Sequence, residues 1–150
     1  MKAAVHSRNA SDNDRIFAWS LYADSIRELV EPLIKKERGV PWDENEESRR
    51  FEEIWVPQRT QILELEGQPI GWIAVNGEGG GAFLENFFIA PDFRGRGLGS
   101  AVLAWLKDQV GSGTIRANVV PGSRARSFYE RAGFVVEQEA THQVTLVAQP

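Results

Sequence analysis

A buried strand that runs through a glycine-rich turn into a helix is the feature that most constrains this chain. The run Ala82–Ala90 is almost entirely apolar and aromatic, which is typical of a central strand. Pro91 ends that strand because proline lacks the backbone donor that a strand needs. A helical face is predicted just beyond the turn by the spacing of Ala101, Val102, Trp105, Leu106 and Val110. The order strand, turn, helix indicates a protein of the mixed α/β class.

The turn itself, Arg94–Ser100, has the chemistry of an anion site. It holds three glycines at alternating positions, which let the backbone come close to a ligand. The helix that follows presents unpaired N–H groups and the positive end of its dipole. Arg94 and Arg96 add positive charge on either side of a glycine. These features predict a site for a pyrophosphate or a similar anion, and the alternative is an ordinary glycine-rich connection.

Two common phosphate-binding motifs do not fit this turn. A Walker P-loop ends in Gly-Lys-Ser/Thr, whereas here Ser100 follows Gly99 with no lysine between them. The dinucleotide-binding fingerprint spaces its glycines as G-x-G-x-x-G and places an acidic residue at the end of the next strand. This chain has G-x-G-x-G, and its next predicted strand ends in Asn118-Val119-Val120. The motif patterns therefore exclude both sites.

Periodicity predicts the remaining elements in the order helix, hairpin, strand, helix, strand, helix, strand. Ser11 and Asp14 resemble a helix N-cap with an acidic first turn, and helical spacing continues to residue 34 as one long or two successive helices. The charged stretch 35–53 is interpreted as a loop and a short amphipathic helix. The predicted hairpin consists of strands Thr60–Leu65 and Pro69–Val75 around the turn Glu66-Gly67-Gln68, and a flexible connection is predicted at 76–81. A helix is predicted to end at Gly111-Ser112-Gly113, and another is predicted through Ala125, Phe128, Tyr129 and Ala132. The remaining predicted strands are Thr114–Val120, Phe134–Val136 and Val144–Val147.

Composition and length narrow the class of protein. The 150 residues are about one domain's worth, and the absence of cysteine excludes disulfides, thiolate–metal sites and a thiol nucleophile. The two histidines, His6 and His142, are too far apart in sequence for a metal cluster. A net charge of −4 argues against nucleic acid as a partner. Because no apolar run approaches the ~18 residues of a membrane helix and no signal segment is evident, we expect a cytoplasmic protein without a membrane partner.

Two motifs resemble those of a known family. The pattern Arg94-x-x-Gly97-x-Gly99, after a strand that ends at Pro91, is similar to the acetyl-CoA-binding turn of the GNAT family of N-acetyltransferases. The segment ARSFYERAGF, residues 125–134, resembles the family pattern A-x-x-[FL]-Y-E-x-x-G-F. The hairpin LELEGQPIGWIAV resembles the second and third strands of the family, and ATHQVTLV resembles the end of one bacterial subgroup. The chain is identified on these residues as a member of the family over residues 10–148.

The resemblance implies a fold as well as an activity. The fold is α/β (α+β), with a mixed, mostly antiparallel central sheet that is splayed between its fourth and fifth strands and flanked by helices, in one domain over residues 1–150. The pantetheine arm of coenzyme A would lie in that splay and pair with the backbone of Phe87–Ile89. A backbone N–H near Ile89 would hold the thioester carbonyl, which needs no side chain.

The implied activity is transfer of the acetyl group of acetyl-CoA to a primary amine, by direct attack in a ternary complex and without a metal. Tyr129 matches the family tyrosine that acts as a general acid or binds the coenzyme A sulfur. Glu85, on the same strand face as Phe87, is the candidate base, and the alternative is a carboxylate paired with an arginine. His142 is a second candidate base. The implied coenzyme A contacts are Phe87, Phe88, Ile89, Arg94, Gly95, Arg96, Gly97, Leu98, Gly99, Ser100, Asn118, Ser123 and Ser127.

One position departs from the family pattern. Family members often carry an asparagine six or seven residues before the tyrosine, where this chain has Ser123 and Gly122. Ser123 either donates a hydrogen bond to the pantetheine or caps the following helix. Asn118 in the preceding strand is expected to replace the missing amide in part.

The acceptor site is expected in the N-terminal helices and residues 35–59. A small amine or amino-acid-like acceptor is the first prediction, and a protein N-terminus or lysine is the second. The alternative from another class of function is a sensor that binds acyl-CoA without catalysis. The resemblance also allows a homodimer, although no residue here requires one. Four aromatic residues either line the acceptor site or belong to the core, and four acidic residues either attract a cationic amine or form a solvated surface. They are Trp19, Tyr22, Trp42 and Trp55, and Asp43, Glu44, Glu46 and Glu47.

Overall fold

A computed structural model of the chain describes residues 5–37 and 42–148. The helices in these residues are α1 (Arg15–Glu37), α2 (Glu44–Ile54), α3 (Leu98–Val110) and α4 (Arg124–Arg131). The strands are β1 (Val5–Asn9), β2 (Thr60–Leu65), β3 (Gln68–Glu78), β4 (Gly81–Ile89), β5 (Ile115–Val119), β6 (Val135–Glu139) and β7 (Val144–Ala148). None of the helices in the described parts of the chain combines the length and the apolar character needed to cross a bilayer.

The seven strands form one mixed sheet in the order β1-β2-β3-β4-β5-β7-β6. β4 and β5 are parallel, whereas β1 with β2, β5 with β7, and β6 with β7 are antiparallel. The parallel register runs from Ala82↔Ile115 to Leu84↔Ala117. β4 continues to Ile89 and β5 to Val119, although the ladder between them ends at Leu84 among the described residues. The predicted fold class, with its splay between the fourth and fifth strands, is confirmed.

The chain divides into two compact units. The first comprises Met1–Trp72 with Phe88–Ala90, and the second comprises Ile73–Phe87 with Pro91–Pro150. Each unit has its own buried apolar residues. They include Phe51, Ile62, Leu63, Ile70 and Trp72 in the first unit, and Val102, Leu103, Leu106, Ile115 and Leu146 in the second.

The first unit contains a strand that the sequence pattern did not predict. β1 pairs antiparallel with β2, from Val5↔Leu65 to Asn9↔Gln61. The segment VHSRN has one apolar residue, so the alternation that indicates a strand is absent. The predicted cap after it is confirmed, because Ser11 is the N-cap of a short 3-10 turn and its N–H donates to the Asp14 carboxylate at 2.9 Å. The Arg8 guanidinium, 2.8 Å from Asp14, lowers the pKa of that carboxyl.

A close approach of two strands holds the end of β4 within the first unit. A Cβ added to Gly71 on β3 would lie 2.2 Å from the carbonyl oxygen of Phe88, so a side chain at position 71 would displace β4. The N–H of Ala90 donates to the carbonyl oxygen of Ile70 at 2.7 Å. Phe88 and Ile89, two of the predicted coenzyme A contacts, are therefore fixed against β3.

The predicted flexible connection at residues 76–81 is wrong. Asn76–Glu78 continue β3 and Gly81 begins β4, so that only Gly79 and Gly80 form the turn. Their φ angles of +52° and +85° are the left-handed values that a two-residue hairpin turn requires. The glycines that suggested flexibility instead form a tight connection.

The buried face of α3 contains Leu103 in place of the predicted Ala101. Val102, Leu103 and Leu106 are buried, whereas Ala101 is exposed. Trp105 and Val110 are half-buried, as residues at the edge of the buried stripe. The helix ends at Gly111 with φ +65°, which confirms the predicted end.

Candidate active site

The glycine turn has the backbone conformation of an anion cradle. Gly95 and Gly97 have φ angles of +75° and +76°, and Gly97 is the N-cap of α3. A Cβ at either position would meet no atom within 4 Å, so the space in front of the turn is open. Arg96 stacks over the ring of Phe93, with its guanidinium carbon 5.2 Å from the ring centroid. The turn thus presents backbone N–H groups at a helix N-terminus, which favours a phosphate group.

Phe128 on α4 packs directly against this turn. A Cβ added to Gly99 would lie 3.0 Å from two carbons of the Phe128 ring, so the ring occupies the space of the missing side chain. The same ring lies 6.0 Å from the ring of Phe87 and 5.3 Å from that of Tyr129, measured between centroids. Phe128 therefore joins the turn, the strand and the tyrosine within the second unit. Phe128 is not among the predicted site residues, because its helical spacing indicates only a core position.

Tyr129 is buried, and its hydroxyl makes no hydrogen bond within the described residues. The side chain is 7% exposed and lies between the rings of Phe128 and Phe134, at centroid distances of 5.3 and 5.1 Å. Burial raises the pKa of Tyr129 well above its ordinary value of 10.0. The hydroxyl consequently keeps its proton at neutral pH and can serve as a hydrogen-bond donor.

Ser123 and Asn118 offer two further donors in the second unit. Ser123 is the N-cap residue of α4, as one of the two predictions for it expects, but its side chain makes no capping hydrogen bond. Its Oγ is inaccessible to solvent and has no partner in the described residues. The Asn118 Oδ1 accepts a hydrogen bond from Thr145 Oγ1 at 2.8 Å, which leaves the amide N–H groups to donate. Both side chains can donate a hydrogen bond to a carbonyl oxygen.

The other predicted residues are distributed over the two units. Phe87 is half-buried at the end of the second unit's part of β4, whereas Phe88 and Ile89 belong to the first unit. Glu85 is half-buried on β4, immediately after the last pair that β4 forms with β5. Arg94 and Leu98 are half-buried, whereas Arg96, Ser100 and Ser127 are exposed, and His142 is exposed between β6 and β7. Among the described residues, no three His, Asp or Glu side chains are arranged to hold a metal ion.

The acidic segment of the first unit has specific contacts. Asp43 is the N-cap of α2 and accepts hydrogen bonds from the N–H groups of Asn45 and Glu46 at 3.1 and 3.2 Å. The Glu47 carboxylate accepts a hydrogen bond from the Tyr22 hydroxyl at 2.9 Å and pairs with Arg50 at 3.2 Å. Asp43 and Glu47 are therefore engaged in structural interactions.

The aromatic candidates for the acceptor site pack largely with one another. Tyr22 and Trp55 are buried, and Trp19 is half-buried. The guanidinium carbon of Arg27 lies 4.7 Å from the ring centroid of Trp42. The cluster in the first unit consists of Trp19, Tyr22, Phe51, Trp55, Trp72 and Phe88, with neighbouring ring centroids 5.0–6.3 Å apart.

The contact between Gly99 and Phe128 predicts that alanine at position 99 destabilises the chain, although alanine normally stabilises a helix. Alanine in a helix is more stable than glycine by up to ~1 kcal/mol, but an added Cβ here must displace the ring, at a cost of about 1–3 kcal/mol. Gly99→Ala should therefore lower the free energy of unfolding, measured in urea. In a Phe128→Leu background, the same substitution should leave it unchanged or raise it. Equal effects in both backgrounds would show that the ring does not set the cost.

A family model for the acetyltransferase (GNAT) domain matches residues 52–136. The match covers more than half of the chain and includes the glycine turn and the helix that carries Tyr129. The chain therefore belongs to the GNAT acetyltransferase family.

Solved structures show the same fold at low sequence identity. The PaiA N-acetyltransferase from Thermoplasma acidophilum, in complex with coenzyme A, matches with a TM-score of 0.78 at 15% identity over 98% of this chain and 99% of that one. An acetyltransferase from Thermus thermophilus matches with a TM-score of 0.75 at 18% identity over 98% and 97%. The ribosomal-protein-S18-alanine N-acetyltransferase from Escherichia coli matches with a TM-score of 0.61 at 18% identity over 95% and 90%. No curated protein matches the sequence.

Proposed function

We propose that this protein is an acetyl-CoA-dependent N-acetyltransferase that acts on a primary amine. The observation that carries the proposal is the position of Tyr129, whose buried side chain lies on the helix that packs against the glycine turn through Phe128. The likeness to a structure that contains coenzyme A supports the choice of ligand. The bound coenzyme supplies the acetyl group as a thioester.

The residues of the second unit fit the chemical parts of coenzyme A. The pyrophosphate would be held by the N–H groups of residues 95–100 and by the charges of Arg94 and Arg96. The amide carbonyls of the pantetheine arm would accept hydrogen bonds from Ser123 Oγ and from the Asn118 amide. Leu98 and Ser127 complete this set of proposed contacts in the second unit, and the backbone of Phe87 would pair with the arm itself.

The reaction requires a proton to leave the amine and the sulfur to be stabilised as the C–S bond breaks. A free aliphatic amine with a pKa near ~10.4 is mostly protonated at pH 7, so a base is needed, and we assign Glu85 to that role. A thiol has a pKa of ~8.5, well below that of the buried Tyr129. Tyr129 therefore keeps its proton and stabilises the departing sulfur as a hydrogen-bond donor.

The proposed acceptor is a small molecule or an amino-acid-like amine that attacks directly in a ternary complex. The second candidate is a protein N-terminus, and the relevant observation is the shared fold with the ribosomal-protein-S18-alanine N-acetyltransferase. A panel of polyamines, amino acids, aminoglycosides and N-terminal peptides distinguishes the two classes.

Binding is the first test of this function. Acetyl-CoA at ~100 times its Kd should stabilise the chain by about 2.7 kcal/mol, which for this size is a Tm increase of roughly 5–10 °C. Coenzyme A should act in the same way and ATP should not. Binding followed by acetyl transfer to one member of the panel supports the enzyme. Binding without any transfer favours a sensor, and no shift at millimolar coenzyme contradicts the proposal.

A further inference from the structure

A lysine on α3 contacts the end of the helix that carries Tyr129. The Lys107 Nζ donates a hydrogen bond to the carbonyl oxygen of Ala132 at 2.7 Å and lies 5.7 Å from the ring centroid of Phe134. Ala132 is the C-cap of α4, and Phe134 is buried against the ring of Tyr129. Lys107 thus contacts the segment that packs against the tyrosine.

This segment is also bonded directly to the backbone of Tyr129. The Tyr129 carbonyl oxygen accepts the N–H groups of Ala132 and Phe134, each at 3.0 Å. Between them, Gly133 turns the chain with φ +96°. The last carbonyls of a helix lack intrahelical partners, and a cation placed there is favourable. Because Lys107 satisfies the Ala132 carbonyl from a different helix, it ties the end of α4 to α3.

The position of Lys107 separates this contact from the coenzyme turn. Lys107 lies near the C-terminal end of α3, about 14 Å along the helix axis from Leu98, where α3 begins at the turn. The turn is contacted by Phe128, at the other side of the tyrosine. A change at Lys107 should therefore affect Tyr129 much more than it affects the anion cradle.

We propose that Lys107 is a positioning residue, which holds the Ala132–Phe134 segment and thereby fixes the Tyr129 hydroxyl with respect to the glycine turn. The inference rests on the proposed function, since that function gives the hydroxyl its role. It predicts a loss in kcat without a matching loss in coenzyme affinity. Displacement of a reacting group by about 1 Å can cost as much as ~100-fold in rate.

The kinetic test compares Lys107→Met, which keeps most of the side-chain length but loses the donor, with Lys107→Arg, which keeps a charged donor. Lys107→Met should lower kcat by about 5–20-fold and change the Kd of acetyl-CoA by less than about twofold, and Lys107→Arg should recover most of kcat. Added to Tyr129→Phe, Lys107→Met should cause no further loss, because residues that act through one group are not additive. An equal loss in both backgrounds would overturn the inference.

A spectroscopic test reports on the ring without relying on activity. The chain has two tyrosines, so in protein labelled with ¹³C at the tyrosine ring, the resonance missing from Tyr129→Phe identifies Tyr129. That resonance should shift or broaden in Lys107→Met and remain near its normal position in Lys107→Arg. An unchanged resonance in Lys107→Met would overturn the inference. If instead Tyr129→Phe left kcat intact, the proposed role of the hydroxyl would fail, and the resonance would still decide whether Lys107 fixes the ring.

Discussion

Gly97→Glu is expected to weaken acetyl-CoA binding by about 100-fold or more. A carboxylate at this position would add negative charge to the turn that is proposed to hold the pyrophosphate, and a repulsion of about 3 kcal/mol corresponds to a factor of more than 100 in Kd. The substitution also requires a non-glycine residue at φ +76°, which costs roughly 1 kcal/mol of stability. Isothermal titration calorimetry measures the affinity, and urea unfolding measures the strain separately.

Gly111→Glu is the matched control for this substitution. Gly111 ends the same helix with φ +65°, and a Cβ there would also meet no atom within 4 Å. It should lose more stability, because φ +65° with ψ −120° lies outside the left-handed region that Gly97 occupies and because a negative charge is unfavourable at a helix C-terminus, and it should bind acetyl-CoA normally. Gly97→Gln separates bulk from charge and should bind more tightly than Gly97→Glu. Normal affinity in Gly97→Glu would refute the placement of the pyrophosphate.

Tyr129→Phe is expected to lower kcat by about 100-fold, since a donor aimed at developing charge contributes on that order. Stability should not fall, because the hydroxyl has no hydrogen-bond partner in the described residues and its removal leaves nothing unpaired. The raised pKa of Tyr129 also predicts how kcat depends on pH. The tyrosine stays protonated throughout the working range, so the wild-type kcat should not fall through its ionisation below about pH 10. Steady-state assays on a confirmed acceptor measure kcat of the variant and the pH dependence of the wild-type kcat.

Tyr22→Phe is a control that should lower stability more than it lowers kcat. The Tyr22 hydroxyl donates to the Glu47 carboxylate at 2.9 Å, so Tyr22→Phe should lower the free energy of unfolding by about 1.5–3 kcal/mol. Its kcat should fall less than that of Tyr129→Phe, because the bond it loses is structural. If Tyr129→Phe instead lost stability and kept kcat, the hydroxyl would be a structural group.

The parts of the site that follow directly along the chain could be predicted from the sequence. The apolar strand, the glycine turn and α3 are consecutive, so local spacing was enough to predict their order. The positive φ angles of Gly95 and Gly97 are what glycine in such a turn suggests. The tyrosine was found through its motif, since its helical spacing alone favours a core position.

The features that the sequence did not indicate all depend on contacts between distant segments. β1 has one apolar residue and exists because β2 supplies its hydrogen bonds. Lys107 and Ala132 are brought together only by the packing of two helices. The same holds for Gly99 and Phe128, where a ring fills the space of an absent side chain. Periodicity reports which face of an element is buried, but it does not report which residue lies opposite.

The ring of Phe128 against Gly99 also bears on how such a site can change over evolutionary time. A larger residue at position 99 requires the ring of Phe128 to shift, so the cost of that substitution depends on the residue at position 128. Replacement of the ring by a smaller side chain should therefore make position 99 more tolerant of substitution. The order in which the two substitutions occur then decides whether the intermediate variant loses stability.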